Sequence, residues 1–194
     1  MSPRSKQQFE VLREASIQKI LDASLELFGT VGYQSTSMSQ IAGKAGVSKG
    51  LIYNYFESKE DLLKSMIARL SEVGEQMIGD VMSDDPRETL IQLIRATFKW
   101  LRKNEKLNRL IFSMITQIDQ FDFIHELADA KMKEYVVFLE DLLEKINFPN
   151  HRTEARILAT LFDGIGVQFM VLKEDYPLDE IEKMLIDRYT INQN

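Results

Sequence analysis

The chain has no cysteine. Disulfide and thiolate chemistry are excluded, and a reducing compartment fits. Histidine is nearly as scarce. His125 and His151 lie far apart, and the HEL at 125–127 lacks the second histidine of an H-E-x-x-H zinc site. A metal centre or a histidine-based catalyst is not expected. No Gly-rich phosphate loop and no G-x-S-x-G occurs, so no cofactor and no hydrolase are expected either. Proline and glycine are also few, at four and nine in 194 residues. Pro3, Pro86, Pro149 and Pro177 fall between periodic segments, as in long helices joined by short loops. Alternating β-branched runs with Asn-Gly or Asp-Gly turns are missing, so strands are not expected. No run of about 18 apolar residues suggests a bilayer span. The first sixteen residues, MSPRSKQQFEVLREAS, hold no apolar stretch of a secretory signal. The expectation is a soluble, cytoplasmic, all-α protein of about nine helices.

What is present refines this. Hydrophobic residues make up 44% of the chain, enough for a packed core. The net charge of −6 and pI of about 5.1, taken whole, argue against nucleic-acid binding. The charge is uneven, however. Residues 1–64 hold 8 Lys/Arg against 7 Asp/Glu, whereas residues 65–194 hold 16 against 23. The acidity belongs to the second part, and the first must be judged alone.

Periodicity predicts a first helix over about 8–28, with Ile17, Ile20, Leu21, Ser24, Leu25 and Phe28 on one face. Ser37 reads as an N-cap, with Gln40 three residues on completing a capping box. A short helix then runs to Ala45. Gly46 breaks it in a left-handed turn. Ser48 caps a second short helix to about Phe56, and Ser58 caps a long one reaching about Met82. Further helices are predicted over about 87–103, 106–118, 123–146, 151–174 and 178–189, with Pro86 at the first position of its helix.

The stretch TSMSQIAGKAGVSKGLIYNYF, residues 36–56, is informative as one unit. Neither short helix would be stable alone. Ile41, Ala42, Ile52 and Phe56 face inward, Gly46 makes the turn and Val47 plugs the corner. This is the layout of a helix-turn-helix, whose second helix can enter a major groove. Lys49, Gly50, Leu51, Tyr53, Asn54 and Tyr55 face outward with the charged, hydrogen-bonding and flat groups that groove contact needs. Free amides at the N-terminus of that helix suit a phosphate.

The longer segment ILDASLELFGTVGYQSTSMSQIAGKAGVSKGLIYNYFESKEDLL, about 45 residues from Ile20 to Leu63, closely resembles the DNA-binding region of bacterial TetR-family transcriptional regulators. The resemblance implies that Ser37 and Ser39 contact the DNA backbone or a base edge, and Ser48 is grouped with them. Lys49, Gly50 and Leu51 would face bases. Tyr53 and Tyr55 would touch phosphates or thymine methyls, Asn54 would tune sequence preference, and Lys59 would hold a phosphate. Gly43 inside a short helix is a mild departure, costing up to roughly 1 kcal/mol of helix propensity. The implied division is a DNA-binding domain at 1–58 and a ligand-binding and dimerisation domain at 59–194.

The second part is rich in methionine and aromatic residues. Phe98, Trp100, Phe112, Met114, Phe138 and Phe169 are candidates to line an apolar pocket, with Arg109, Gln117, Tyr135 and Gln168 as its polar contacts. At helical spacing the same residues suit a plain core. An apolar stripe, Leu158, Leu161, Phe162, Ile165, Phe169 and Leu172, is expected to form a homodimer, with Gly164 and Gly166 allowing close approach. The expected function is a dimeric regulator, a repressor by the family's commoner behaviour, that binds a palindromic DNA operator and is released by a small, largely apolar effector. The alternatives are a dimeric DNA-binding regulator without an inducer, and an all-α ligand-binding protein or enzyme. No catalytic constellation supports the last.

Overall fold

A computed structural model of the chain describes residues 6–115 and 122–190. Nine α-helices follow in order: α1 Lys6–Thr30, α2 Met38–Ala45, α3 Lys49–Tyr55, α4 Lys59–Val81, α5 Pro86–Lys103, α6 Glu105–Ile115, α7 Asp122–Lys145, α8 His151–Leu172 and α9 Leu178–Thr190. A 3-10 turn, Lys173–Asp175, joins the last two. No strand occurs among the described residues. The all-α expectation holds, and the helix ends lie within a few residues of the predicted ones. The chain divides into two compact units, one up to Val73 and one from Gly74. Their boundary therefore falls inside α4.

The first unit contains α1, α2, α3 and the first part of α4. Its buried residues are those that the periodicity selects: Ile20, Leu21 and Phe28 from α1, Ile41 and Ala42 from α2, and Ile52 from α3. Ser24 is also buried, and its hydroxyl donates to the Ile20 carbonyl at 2.7 Å. Ile17 and Leu25 are half-buried. The first two turns of α1 are exposed, Phe9 and Leu12 included.

The second unit packs α5, α7, α8 and α9 around one core. Leu90, Leu93, Ile94 and Phe98 of α5 meet Leu139, Leu142 and Leu143 of α7, Leu158, Phe162 and Ile165 of α8, and Leu185 and Tyr189 of α9. Asp85 caps α5, accepting the Arg87 N–H at 2.9 Å, and Pro86 occupies the first turn as predicted. By length and composition α8 is apolar enough to cross a membrane, with a mean hydropathy of 1.5 over its best 18 residues. Its apolar side chains instead divide between two faces. Leu158, Phe162 and Ile165 are buried in the core of this unit, while Ile157, Leu161, Val171 and Leu172 remain exposed.

One buried carboxylate ties this unit together. Glu154 of α8 accepts hydrogen bonds from Arg188 Nε at 2.8 Å, from a second Arg188 nitrogen at 3.0 Å and from the Tyr189 hydroxyl at 2.7 Å. Burial pushes the Glu154 carboxyl up, but these bonds outweigh it and hold its pKa below the ordinary value. A depressed pKa means stability that is complete above the unfolded value of about 4.3 and is lost as pH falls through the lower folded value. Glu154→Gln is expected to lower the unfolding free energy near neutral pH by about 1–2 kcal/mol, because Arg188 is half exposed and partly screened. The difference from the parent protein should shrink below about pH 4, as the parent protonates. Urea unfolding at a series of pH values measures both.

Candidate nucleic-acid interface

The α2–α3 unit is built by local capping. The Ser37 hydroxyl accepts the Gln40 N–H at 3.3 Å, and the Gln40 side-chain oxygen accepts the Ser37 N–H at 2.8 Å. This is the predicted capping box. Gly46 sits at φ +67°, ψ +30°, the left-handed region that glycine enters at least cost. Its N–H reaches the Gly43 carbonyl at 3.2 Å, and the Val47 N–H reaches the Ala42 carbonyl at 3.0 Å. These two bonds satisfy carbonyls at the end of α2 and turn the chain. Ser48 then caps α3, accepting the Leu51 N–H at 3.1 Å.

With Ile41, Ala42, Ile52 and Phe56 buried, the opposite side of α3 is open. Ser39, Lys49, Gly50 and Asn54 are exposed, and Tyr53 is 46% exposed. Leu51 and Tyr55 are half-buried along one flank. Ser37 and Ser48 are exposed too, but their hydroxyls already serve as caps. A Cβ added at Gly50 would meet nothing within 4 Å, and the residue needs no left-handed backbone. Glycine is therefore not required there by this chain's own packing, although it weakens the helix. Its use is explained by something outside the chain coming close to the backbone.

Lys59 is placed differently from expectation. Its ammonium donates to the carbonyls of Tyr33 at 2.7 Å, Thr36 at 2.9 Å and Gln34 at 3.3 Å, and lies 4.2 Å from the centre of the Tyr33 ring. Burial lowers its pKa. All three of its donors are thus spent on the loop that leads into Ser37, whereas a phosphate ligand needs at least one of them free. The sequence gave no hint of this, because the partners are backbone atoms 23 to 26 residues away. The sequence reading also missed Arg13, whose guanidinium carbon lies 5.8 Å from the centre of the Tyr55 ring.

The residues expected to line a ligand pocket do not converge. Phe98 is fully buried in the core of the second unit, and Tyr135 and Phe138 pack against that core. Burial raises the Tyr135 pKa, with Asp163 adding to it. Trp100 donates its ring N–H to Asn108 at 3.0 Å. Arg109 is exposed and pairs with Glu105 at 2.8 Å. Phe112 and Gln168 are exposed, Met114 is half-buried, and Gln117 lies outside the described residues. Only Phe169 lines a cavity. Two adjoining hollows of about 410 and 250 Å³ share Arg102, Phe169, Lys173 and Glu174. The smaller is also lined by Leu101, Asn108, Gly166 and Met170.

An exposed reading helix, capped and turned on a buried partner helix, defines the class of helix-turn-helix DNA-binding regulators. Residues 20–66 match the family described as bacterial regulatory proteins, tetR family. Over 169 residues the chain is 30% identical to the HTH-type transcriptional regulator AcrR of Shigella flexneri, covering 81% of this chain and 72% of that one. It is 32% identical over 130 residues to the fatty acid metabolism regulator protein of Bacillus subtilis, covering 64% of each. Among solved structures, a TetR transcription regulator from Haloarcula marismortui shares the fold with a TM-score of 0.76 at 20% identity, over 90% of this chain and 95% of that one. The fatty acid degradation regulator FadR from Bacillus halodurans does so with a TM-score of 0.68 at 23% identity, over 89% and 96%. The chain belongs to the TetR family of transcriptional regulators, DNA-binding proteins and not enzymes.

Gly50→Ala separates the two demands on α3. It is expected to raise the unfolding free energy by up to about 1 kcal/mol, through helix propensity. The same methyl should weaken DNA binding. Chemical denaturation and a DNA titration of the one variant check both signs.

Proposed function

We propose that the protein is a repressor that binds a palindromic operator as a homodimer and leaves it when a small, largely apolar ligand binds. In this reading residues 1–58 read DNA and residues 59–194 bind the ligand and dimerise. The observation that carries it is the open face of α3, where Lys49, Gly50, Tyr53 and Asn54 stand clear of the protein's own packing. Ser37, Ser39 and Ser48 flank that face, and Leu51 and Tyr55 border it. Lys59 acts here by holding the loop before α2, with its charge as a secondary attraction. The setting is the cytoplasm, where operator DNA is accessible.

One such module makes too few base contacts for strong discrimination, and a two-fold dimer reads two half-sites about 34–36 Å apart or a multiple of that. The dimer surface is revised from the sequence reading. Leu158, Phe162 and Ile165 are consumed by the subunit's own core, so the apolar residues left for a partner are Ile157, Leu161 and Leu172 of α8 and Met184 of α9. Gly166 faces inward, where an added Cβ would lie 3.3 Å from the Leu101 side chain, whereas Gly164 faces open space. Leu161→Glu is expected to yield folded monomers by light scattering, with helix content unchanged.

For the effector, the hollows around Phe169 supply an apolar wall from Leu101 and Met170 and polar groups from Arg102, Asn108 and Lys173. Relatives named for fatty-acid metabolism and degradation are in keeping with an apolar ligand. To weaken DNA binding, the ligand must bind the non-DNA conformation better, since equal affinity shifts nothing. The tight packing of Phe98 favours a second reading, a dimeric DNA-binding regulator with no small-molecule effector.

Selection of bound sequences from random DNA by the purified protein tests the proposal. A palindrome with half-sites about one helical turn apart is the expected result. Tyr53→Ala should abolish recovery of that sequence while the dimer persists. Loss of folding or of the dimer in that variant would contradict the role given to Tyr53. Release of the selected DNA by apolar compounds, or its failure across a broad panel, decides between the two readings.

A further inference from the structure

The side chain of Arg13 lies outside the segment that matches the family, residues 20–66, so the family match assigns it no role. It sits in the exposed first half of α1 and is itself half exposed. Its guanidinium lies over the Tyr55 ring, 5.8 Å from the ring centre. The ion pair that it makes with Glu10 is long, at 3.8 Å, with both partners open to solvent. Such a pair contributes little and leaves most of the five guanidinium donors available.

The position of Tyr55 on α3 gives this contact a meaning. At 3.6 residues per turn, Ile52 and Phe56 point into the core and Gly50 and Asn54 point directly away from it. Tyr55 and Leu51 lie between these directions, on one flank of the helix, and both are half-buried. A helix seated in a major groove about 12 Å wide meets base edges with its outermost residues and the phosphate walls with its flanks. The acidic neighbour on α1 is offset separately: Glu14 accepts from Arg69, which also donates to Gln18 at 2.6 Å. A free guanidinium at the flank of the reading helix, held by an aromatic face, has the chemistry of a phosphate ligand.

We propose that Arg13 is a DNA-contacting residue that binds a backbone phosphate beside the groove entered by α3, and that the Tyr55 ring holds it in position. This rests on the reading of α3 as the groove helix. Tyr55 thereby acts mainly through Arg13 rather than by its own hydroxyl.

The test uses the full-length protein and the duplex recovered by selection, with binding followed by fluorescence anisotropy from 50 to 200 mM salt. Arg13→Met keeps an apolar stem against the ring and removes the charge. It should weaken binding roughly fivefold and reduce the slope of log K against log salt by about 0.9, one phosphate contact, with the selected sequence unchanged. Arg13→Lys should restore the slope. Tyr55→Phe should behave as the parent protein, whereas Tyr55→Leu should lose part of the Arg13 effect. An unchanged slope in Arg13→Met, with the parent protein binding its selected site, overturns the proposal and leaves the groove reading standing. A parent protein that prefers no sequence overturns both. Thermal unfolding of each variant separates misfolding from loss of contact, and Arg13→Lys carries the decision if Arg13→Met is unstable.

Discussion

The ammonium of Lys59 closes on three backbone carbonyls, those of Tyr33, Gln34 and Thr36, and the placement of the DNA-reading helices hangs on that closure. The loop after α1 has left the helix and would otherwise offer its carbonyls to water. By gathering them, one side chain at the start of α4 fixes the residues directly ahead of Ser37. Ser37 is the cap on which α2 begins, α2 ends on Gly46, and the turn at Gly46 aims α3. Each step is short-range, and each depends on the one before. The charge sits 4.2 Å from the centre of the Tyr33 ring, which also shields it from water. A cation–carbonyl cluster of this kind is stronger than a surface ion pair, since all its partners are fixed backbone atoms rather than mobile side chains.

Because Lys59 belongs to α4, a displacement of α4 pulls directly on the loop that seats α2. That gives the signalling reading a physical handle within the first unit alone. In the second unit, the Glu154, Arg188 and Tyr189 cluster plays the corresponding part, holding α8 to α9 from inside. An apolar core fixes which faces meet. The buried carboxylate adds a requirement on register, because its three donors cannot all be met at any other alignment.

The apolarity of α8 has two causes. One face fills the core of the second unit through Leu158, Phe162 and Ile165, and the other leaves Ile157, Leu161, Val171 and Leu172 in solvent. A helix that is apolar on both sides expects two neighbours, one inside its subunit and one outside it. The stripe read from the sequence mixed these faces, since a spacing of three and four residues selects a band wide enough to hold members of both. The expected pocket residues failed for a related reason. Phe98 and Phe138 have the same composition and spacing whether they line a void or fill it, and only packing distinguishes the two.

What the sequence determined by itself is the set of features that are local. The nine helices, the capping box of Ser37 with Gln40, the left-handed Gly46 and the buried Ile41, Ile52 and Phe56 each follow from residues within a turn or two of one another. The open face of α3 follows too, as the remainder once the buried side is known. What the tertiary structure decided is everything that joins distant residues. Lys59 is committed to carbonyls more than twenty positions earlier, Arg13 reaches the ring of Tyr55, Glu154 meets Arg188 and Tyr189, and Leu158 turns inward while Leu161 does not. The physical reason is the same in each case. Helix periodicity and caps are short-range and leave their mark in neighbouring residues, whereas a charge or a ring finds its partner only after packing has brought the helices together.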